Sequence, residues 1–546
     1  MADPGITATF SDLPTEMKAT IFGYLQRNDH KKSACLVSRS WRNMMAPILW
    51  EHLTLRVATT LPGELACLLN PNDGVLAHVR SIDIRPGLDG LEKFELNSEF
   101  GIAFRLIFGA LQKNCLSTLR FYIDISMTTL LSVLQSQQAL ETLWFATLPS
   151  YKDPSSNLFL TAHSSWLTPT LRNIKNLRIA IDDEDHNANE NSAYLLKNTP
   201  KLNYLSLDGF NIFLHDLYGN DAFGEPGATT QSLQLDLLRL GWLDLKTYPA
   251  SLFTVIDFSV LRALSIVDCY NIGAFLTALV PGASQVPALK KLGISAHSSS
   301  HLSEATVKAI ETLVTSISSL QDLWLNVGKG RLVDVACLAG NGNMLKRLVL
   351  ATSSRTQGPY YSALDLDKLL TQAPNLEHIA INLCPISLGH VRYLGTQFKL
   401  FQQNGNDYVF GETEPLLVRI AKHRTLRSLR ILTVPSVDYG MIPNPNLVER
   451  IGLPEEHVYA SQVTMQAFAT EVFRLLASSG SNIRALAIMS EKLNSTKQPI
   501  SDDNGHRWPL YYYKYGATRT MSGQEHIVAV PTHWAEYLLF GPPPCL

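Results

Sequence analysis

Close cysteine pairs, long apolar runs and an excess of one charge are all missing from this chain. Its seven cysteines, at 35, 67, 115, 269, 337, 384 and 545, include no Cys-x-x-Cys and no neighbouring pair. That spacing fits neither a secreted disulfide framework nor a zinc ribbon, and reduced thiols place the expected compartment in the cytoplasm, the nucleus or both. No segment approaches the roughly 20 consecutive apolar residues of a membrane helix. The opening MADPGITATFSDLP has no basic start followed by an apolar run, so no secretory signal is expected. Lys and Arg total 46 against 48 Asp and Glu, a formal net charge of −2. Neither nucleic acid nor an anionic membrane is therefore expected as the main partner.

Signatures of chemistry are missing too. There is no HExxH and no GxSxG, and Gly328-Lys329-Gly330 lacks the upstream glycine and following Ser or Thr of a phosphate loop. Fifteen histidines are scattered without ligand spacing. The run Asp182-Asp183-Glu184-Asp185-His186 fits a solvated loop between a strand and a helix better than a cation site. No catalytic residue, metal or cofactor is expected.

What the chain does have is apolar pattern. Hydrophobic residues make up 46% and charged residues 17%, the balance of a folded protein. Its 546 residues exceed one compact core, unless the chain is a repeat array that grows by stacking. Residues 1–9 precede the first pattern and are expected to be disordered. From Phe10 to Leu55 three short helices are expected. Pro14 suits a first helical position, where its missing N–H is no loss. Met17, Ile21, Tyr24 and Leu25 then form one apolar stripe, widened by Phe22. Asn28-Asp29 can cap a second helix carrying Leu36 and Val37. Trp41, Met44, Met45, Ile48 and Leu49 mark a third over 38–50, which Pro47 is expected to distort or end early. Helices this short bury little by themselves, so the unit needs a partner or a neighbouring domain.

The order Leu13-Pro14, Ile21-Phe22, Leu25, Asp29, Leu36-Val37-Ser38, Trp41-Arg42, Pro47 and Leu49-Trp50 resembles the F-box motif. The sequence departs from it at His30-Lys31-Lys32, where that family often has apolar residues. The resemblance implies a three-helix F-box domain over 10–56 that docks on the Skp-type adaptor of an SCF ubiquitin ligase, and through it on cullin and RING subunits. Carried over residue by residue, the adaptor-facing set is Leu13, Pro14, Ile21, Phe22, Leu25, Leu36, Val37, Trp41, Leu49 and Trp50.

Beyond it a string recurs, apolar-x-x-apolar-x-apolar, starting at Val79, Leu116, Leu140, Ile174, Leu202, Leu235, Leu261, Leu289, Leu320, Leu345, Leu376, Leu426 and Ile483. Most steps lie near or just above the period of leucine-rich repeats. Each string suits a short strand with alternating faces, and helix-like stretches such as 127–138 and 302–319 precede some of them. The expected fold is α/β: a leucine-rich-repeat solenoid of parallel strands backed by helices, behind a small all-α N-terminal domain. The array is expected over 57–490, with loop-like insertions at about 395–420 and 434–460, and a cap and tail over 491–546. Cys269 and Cys384 fall at the turn position after their strands and suit buried structural roles.

In each strand the apolar residues point to the core, so the residue between them lines the sheet's other face. Arg120, Trp144, Arg178, Arg239, Trp324 and Arg430 fall at that position. Arg and Trp are favoured protein-binding anchors, and Arg also captures carboxylate or phosphate bidentately. These six residues are the candidate contacts to a protein substrate, and a phosphorylated one is compatible with them. Together with the F-box resemblance this implies a non-catalytic substrate receptor of the ligase. A scaffold that binds the adaptor or other proteins without promoting ubiquitination has the same sequence features.

Overall fold

The computed structural model describes residues 13–25, 28–56, 68–70, 74–86, 98–123, 125, 127–145, 164–181, 192, 194–209, 232–245, 256–280, 288–296, 302–328, 331–352, 359–393, 398–402, 405–433, 435–437, 455–488, 511–519 and 525–532. Two compact units divide the chain, the first holding the described residues up to 209 and the second those from 232.

The first unit opens with three helices, α1 (Thr15–Gly23), α2 (Asn28–Val37) and α3 (Arg39–Trp50). Ser38 starts α3 by accepting a hydrogen bond from the Trp41 N–H at 3.1 Å, a cap typically worth about 1 kcal/mol. Pro47 does not end this helix, which continues to Trp50. Met45, fully buried against Phe22 and Ala34, anchors the turn that contains the proline.

Strands β1 (His52–Arg56), β2 (Ser81–Arg85), β3 (Thr118–Phe121), β4 (Thr142–Phe145), β5 (Asn176–Ile181) and β6 (Tyr204–Gly209) follow and pair in parallel, each with the next. The sheet thus begins at His52, inside the segment that carries the F-box resemblance. Helices at Ser98–Ala110, Met127–Ser136 and Ser164–Leu171 connect the strands.

The second unit follows the same logic with β7 (Leu237–Gly241), β8 (Ala263–Val267), β9 (Lys291–Ser295), β10 (Asp322–Asn326), β11 (Arg347–Ala351) and β12 (His378–Ile381), all parallel. Three short strands lie outside that sheet: β13 (Ser387–Leu388), β14 (His390–Tyr393) and β15 (Phe398–Phe401). The sheet resumes with β16 (Ser428–Ile431), while β17 (Ser436–Val437) pairs with β13. It then adds β18 (Ala485–Ile488) in parallel and ends on two antiparallel strands, β19 (Tyr511–Arg519) and β20 (Glu525–Pro531). Helices Glu304–Ser316, Ala363–Gln372, Thr413–Lys422 and Glu455–Ser478 lie between strands. This is a leucine-rich-repeat fold of parallel strands backed by helices, with the three-helix domain at its N-terminus.

All thirteen strings fold as parallel strands, β2 to β12, β16 and β18. Their leading residues, from Val79 to Ile483, are at most 2% exposed. Burying a Leu or Ile side chain contributes about 1.5–3 kcal/mol, so each repeat is held mainly by its own three apolar positions. Polar rungs cross between repeats: Thr170 Oγ1 donates to the Leu134 carbonyl, and the Leu383 N–H to Thr433 Oγ1, both at 2.8 Å. Cys269 Sγ reaches the Leu240 carbonyl at 3.4 Å and Cys384 Sγ meets Thr413 Oγ1 at 3.0 Å, so both thiols satisfy turns.

The segment at 395–420 differs from the loop expected. β14 and β15 form an antiparallel hairpin, Leu400 is fully buried, and Tyr408 packs edge-on against Phe468 of helix Glu455–Ser478. Aromatic and β-branched residues in KLFQQNGNDYVF supply enough apolar surface to dock the segment. The 434–460 insertion lies mostly outside the described residues, as does the acidic run 182–186. The far edge is closed by the same helix, because Gln466 Nε2 donates to the Ala529 carbonyl and the Ala529 N–H donates to Thr470 Oγ1.

Candidate functional site

Three surfaces gather the residues singled out by sequence. The first is the helical domain. Phe22, Ala34 and Met45 form its core, with Leu25, Trp41, Met44 and Ile48 packed around them. Phe22 and Trp41 meet edge to face at 4.9 Å between centroids. Of the ten proposed adaptor contacts, Phe22 is therefore an internal residue at 2% exposure, and Leu13, Leu25, Trp41, Leu49 and Trp50 are half-buried. Pro14, Ile21, Leu36 and Val37 stand exposed, Leu36 at 79% and Val37 at 62%. Met17 and Tyr24, one turn from Ile21 on the same face of α1, are exposed with it. Five large apolar side chains thus stand exposed on two short helices, more than a folded domain of this size usually leaves to water unless a partner uses them.

The second surface is the sheet face of the first unit. Strand register sets Asp83, Arg120, Trp144, Arg178 and Ser206 side by side, as the strings imply. The Arg120 guanidinium lies over the Trp144 ring at 4.3 Å and that of Arg178 at 5.7 Å, while Tyr204 stacks on the indole at 6.3 Å. Each arginine also has an acid. Asp83, fully buried, takes Arg85 at 2.9 Å, Arg120 at 3.5 Å and His52 at 3.5 Å; Asp208 takes Arg178 at 2.8 Å. Burial pushes the Asp83 carboxyl up, but hydrogen bonds from His52 and Arg85 and the charges of His52 and Arg120 outweigh it and hold it below its ordinary value. Arg120, Trp144 and Arg178 thus belong to a charge-matched, interlocked layer in this unit. Sequence reading missed Asp208 because it sits two residues past the central position of β6, a signal visible only once register is known.

Ser81, His52 and Asp83 also place a hydroxyl, an imidazole and a carboxylate in contact, with Ser81 Oγ 2.8 Å from His52 Nδ1. That composition is shared with nucleophilic triads. The same contact recurs in the other unit, where His378 Nδ1 lies 2.7 Å from Ser428 Oγ. In both cases the two residues are register partners on adjacent strands. Cross-strand pairing explains the contact, and Asp83 already balances two arginines.

The third surface is the sheet face of the second unit, where register aligns Arg239, Ser265, Gly293, Trp324, Val349, Ala380, Arg430 and Ala487. Arg430 stands between two alanines with no acid partner among the described residues, and its Nε is buried without an acceptor. Trp324 is half-buried between Gly293 and Val349. Asp322, nearly buried, is bracketed by Lys291 at 3.6 Å and Arg347 at 3.3 Å. Unlike Arg120 and Arg178, Arg430 keeps its charge available.

Among the described residues no group of His, Cys, Asp and Glu is arranged to hold a metal, and no helix is long and apolar enough to cross a membrane. The F-box-like family profile matches residues 10–56. No curated protein matches the chain. Among solved structures, it is similar to the leucine-rich repeat-containing protein LegL7 from Legionella pneumophila, at 13% identity and a TM-score of 0.32, covering 67% of this chain and 96% of that one. An F-box-like domain joined to leucine-rich repeats is the architecture of a protein-interaction adaptor.

Proposed function

We propose that the protein is the substrate-recognition subunit of an SCF-type cullin–RING ubiquitin ligase. The exposed apolar side chains of Met17, Ile21, Tyr24, Leu36 and Val37 carry this reading, since they lie in the F-box-like segment and stand open to a partner. In this reading a Skp-type adaptor covers them and links the chain to cullin and RING subunits. The sheet faces hold a protein target, with Trp324 and Arg430 as the anchors on the face of the second unit. The chain itself adds no chemistry; it raises the target's local concentration near the ligase's ubiquitin-charged partner.

Proximity labelling with proteasome inhibited tests the reading in cells. Targets should accumulate around the wild-type chain, and their half-lives should lengthen when it is replaced by the Ile21→Asp/Leu36→Asp variant. Neighbours whose half-lives ignore that variant would identify a scaffold that binds without promoting degradation.

A further inference from the structure

The strand entrances of the second unit carry a charge pattern that neither adaptor docking nor the sheet face uses. The residue before each strand donates its N–H to the carbonyl of its equivalent one repeat back: Lys346 to Gln321, Glu377 to Lys346, Arg427 to Glu377 and Arg484 to Arg427, all at 2.8–2.9 Å. This column therefore runs across the strands at their spacing of about 4.8 Å. In the first unit the same column alternates in sign, and Lys175 is bonded to Glu141 at 2.6 Å. In the second unit Lys346, Arg427 and Arg484 share one acid, Glu377, which reaches Arg427 only at 3.9 Å.

Arg424, three residues before Arg427, adds a fourth cation. These side chains line one open cleft of about 840 Å3. Among the described residues neither Lys346 nor Arg424 has an ion-pair partner. Arg427 and Arg484 stand on neighbouring strands, and like charges placed opposite one another destabilise a sheet. Among the described residues Glu377 is the one acid that lines the cleft. The supporting backbone is fixed: Asn482 Nδ2 donates to the Arg424 carbonyl and Asn375 Nδ2 to the Asn343 carbonyl, both at 2.8 Å. Tyr515 holds the Arg484 guanidinium over its ring at 4.5 Å.

Three guanidinium groups and a lysine facing a single carboxylate, on a hydrogen-bonded backbone with Asn amides beside them, suit bidentate capture of phosphate oxygens. We propose that this cleft binds clustered phosphate groups carried on a multiply phosphorylated protein segment. The cleft owes nothing to the helical domain, so the proposal stands apart from adaptor docking.

The test uses the full-length chain, a fluorescein-labelled Gly/Ser peptide carrying two phosphoserines, its unphosphorylated twin, and inorganic tripolyphosphate as competitor. The phosphopeptide should bind, and salt should weaken it steeply once the screening length falls to about 8 Å or less. Lys346→Gln/Arg424→Gln/Arg427→Gln should weaken it by about tenfold or more, since each lost charge-assisted bond is a large fraction of that. Arg105→Gln, at an exposed position of helix Ser98–Ala110, should leave binding unchanged. Glu377→Gln should tighten binding, and it decides the matter if the triple variant loses its fold by circular dichroism. No binding by the wild type, equal binding by the triple variant, or no tightening by Glu377→Gln overturns the proposal. Tripolyphosphate that binds far more tightly than the peptide would assign the cleft to a small free phosphate compound and overturn the peptide assignment.

Discussion

The guanidinium of Arg120 lies over the indole of Trp144, 4.3 Å from its centroid, on adjacent strands of one sheet. The same guanidinium reaches buried Asp83 at 3.5 Å, so one side chain serves both a ring and a charge. Sequence position alone makes Arg120 an exposed anchor; geometry makes it part of the sheet's own packing.

A difference in stability between two arginines follows. Arg120→Glu places a second carboxylate beside Asp83 and should cost about 2–4 kcal/mol. Arg430→Ala removes a cation that has no acid partner and should change stability by less than about 1 kcal/mol. Urea unfolding midpoints measure both. Equal midpoints would mean that the Asp83 network does not hold the first unit together.

Asp83 also sets a pH signature. Its carboxyl titrates below the ordinary value in the folded chain, so its contribution is complete above about pH 3.9 and is lost as pH falls through the folded value. Arg120→Gln removes one of the charges that lower it. The stability gap between wild type and variant should therefore hold steady above about pH 3.9 and narrow over the range below it. A gap that is constant across that range would point to packing alone.

Two glycines should respond oppositely to the same substitution. A Cβ on Gly342 would fall 1.6 Å from the Gln372 carbonyl oxygen, where one repeat's turn meets the next repeat's helix. Gly342→Ala must shift backbone and should cost about 3 kcal/mol or more. Gly109, inside helix Ser98–Ala110, meets nothing within 4 Å. Gly109→Ala should stabilise by about 0.5–1 kcal/mol by relieving helical entropy. Thermal melts of both variants provide the check.

Burial pushes the Cys337 thiol up to about 12, aided by the charges of Glu311 and Asp334. In the folded chain it should resist iodoacetamide at pH 8, because thiolate is the reacting form. Peptide mass mapping before and after urea should show its alkylation only in the unfolded sample.

The repeat was legible because its cause is local. Three apolar positions at fixed spacing make a buried strand edge, and all thirteen strings became strands with the central positions in register within each unit. Pairing between side chains was less legible. Asp208 meets Arg178 across 30 residues and two positions off centre, and periodicity is blind to that. In the helical domain the sequence marks Met17, Ile21, Tyr24 and Leu25 as one stripe widened by Phe22, but only packing tells that Met17, Ile21 and Tyr24 stand exposed while Phe22 and Leu25 face in. The hairpin of β14 and β15 escaped for a related reason: its glycines and asparagines signal a loop, while its burial depends on a helix more than 50 residues away. Pro47 shows the converse, a strong local signal overridden by the packing of Met45.

Adaptor docking is the centre of this account, and a titration of purified Skp-type adaptor into the full-length chain tests it most directly. Ile21→Asp/Leu36→Asp changes only exposed residues, so the fold should survive, whereas Phe22 would confound the result through the core. The account predicts saturable binding by the wild type and a loss of more than about 30-fold in the variant, as for truncating interface anchors. Undiminished binding by a folded variant, or none by the wild type, would contradict it.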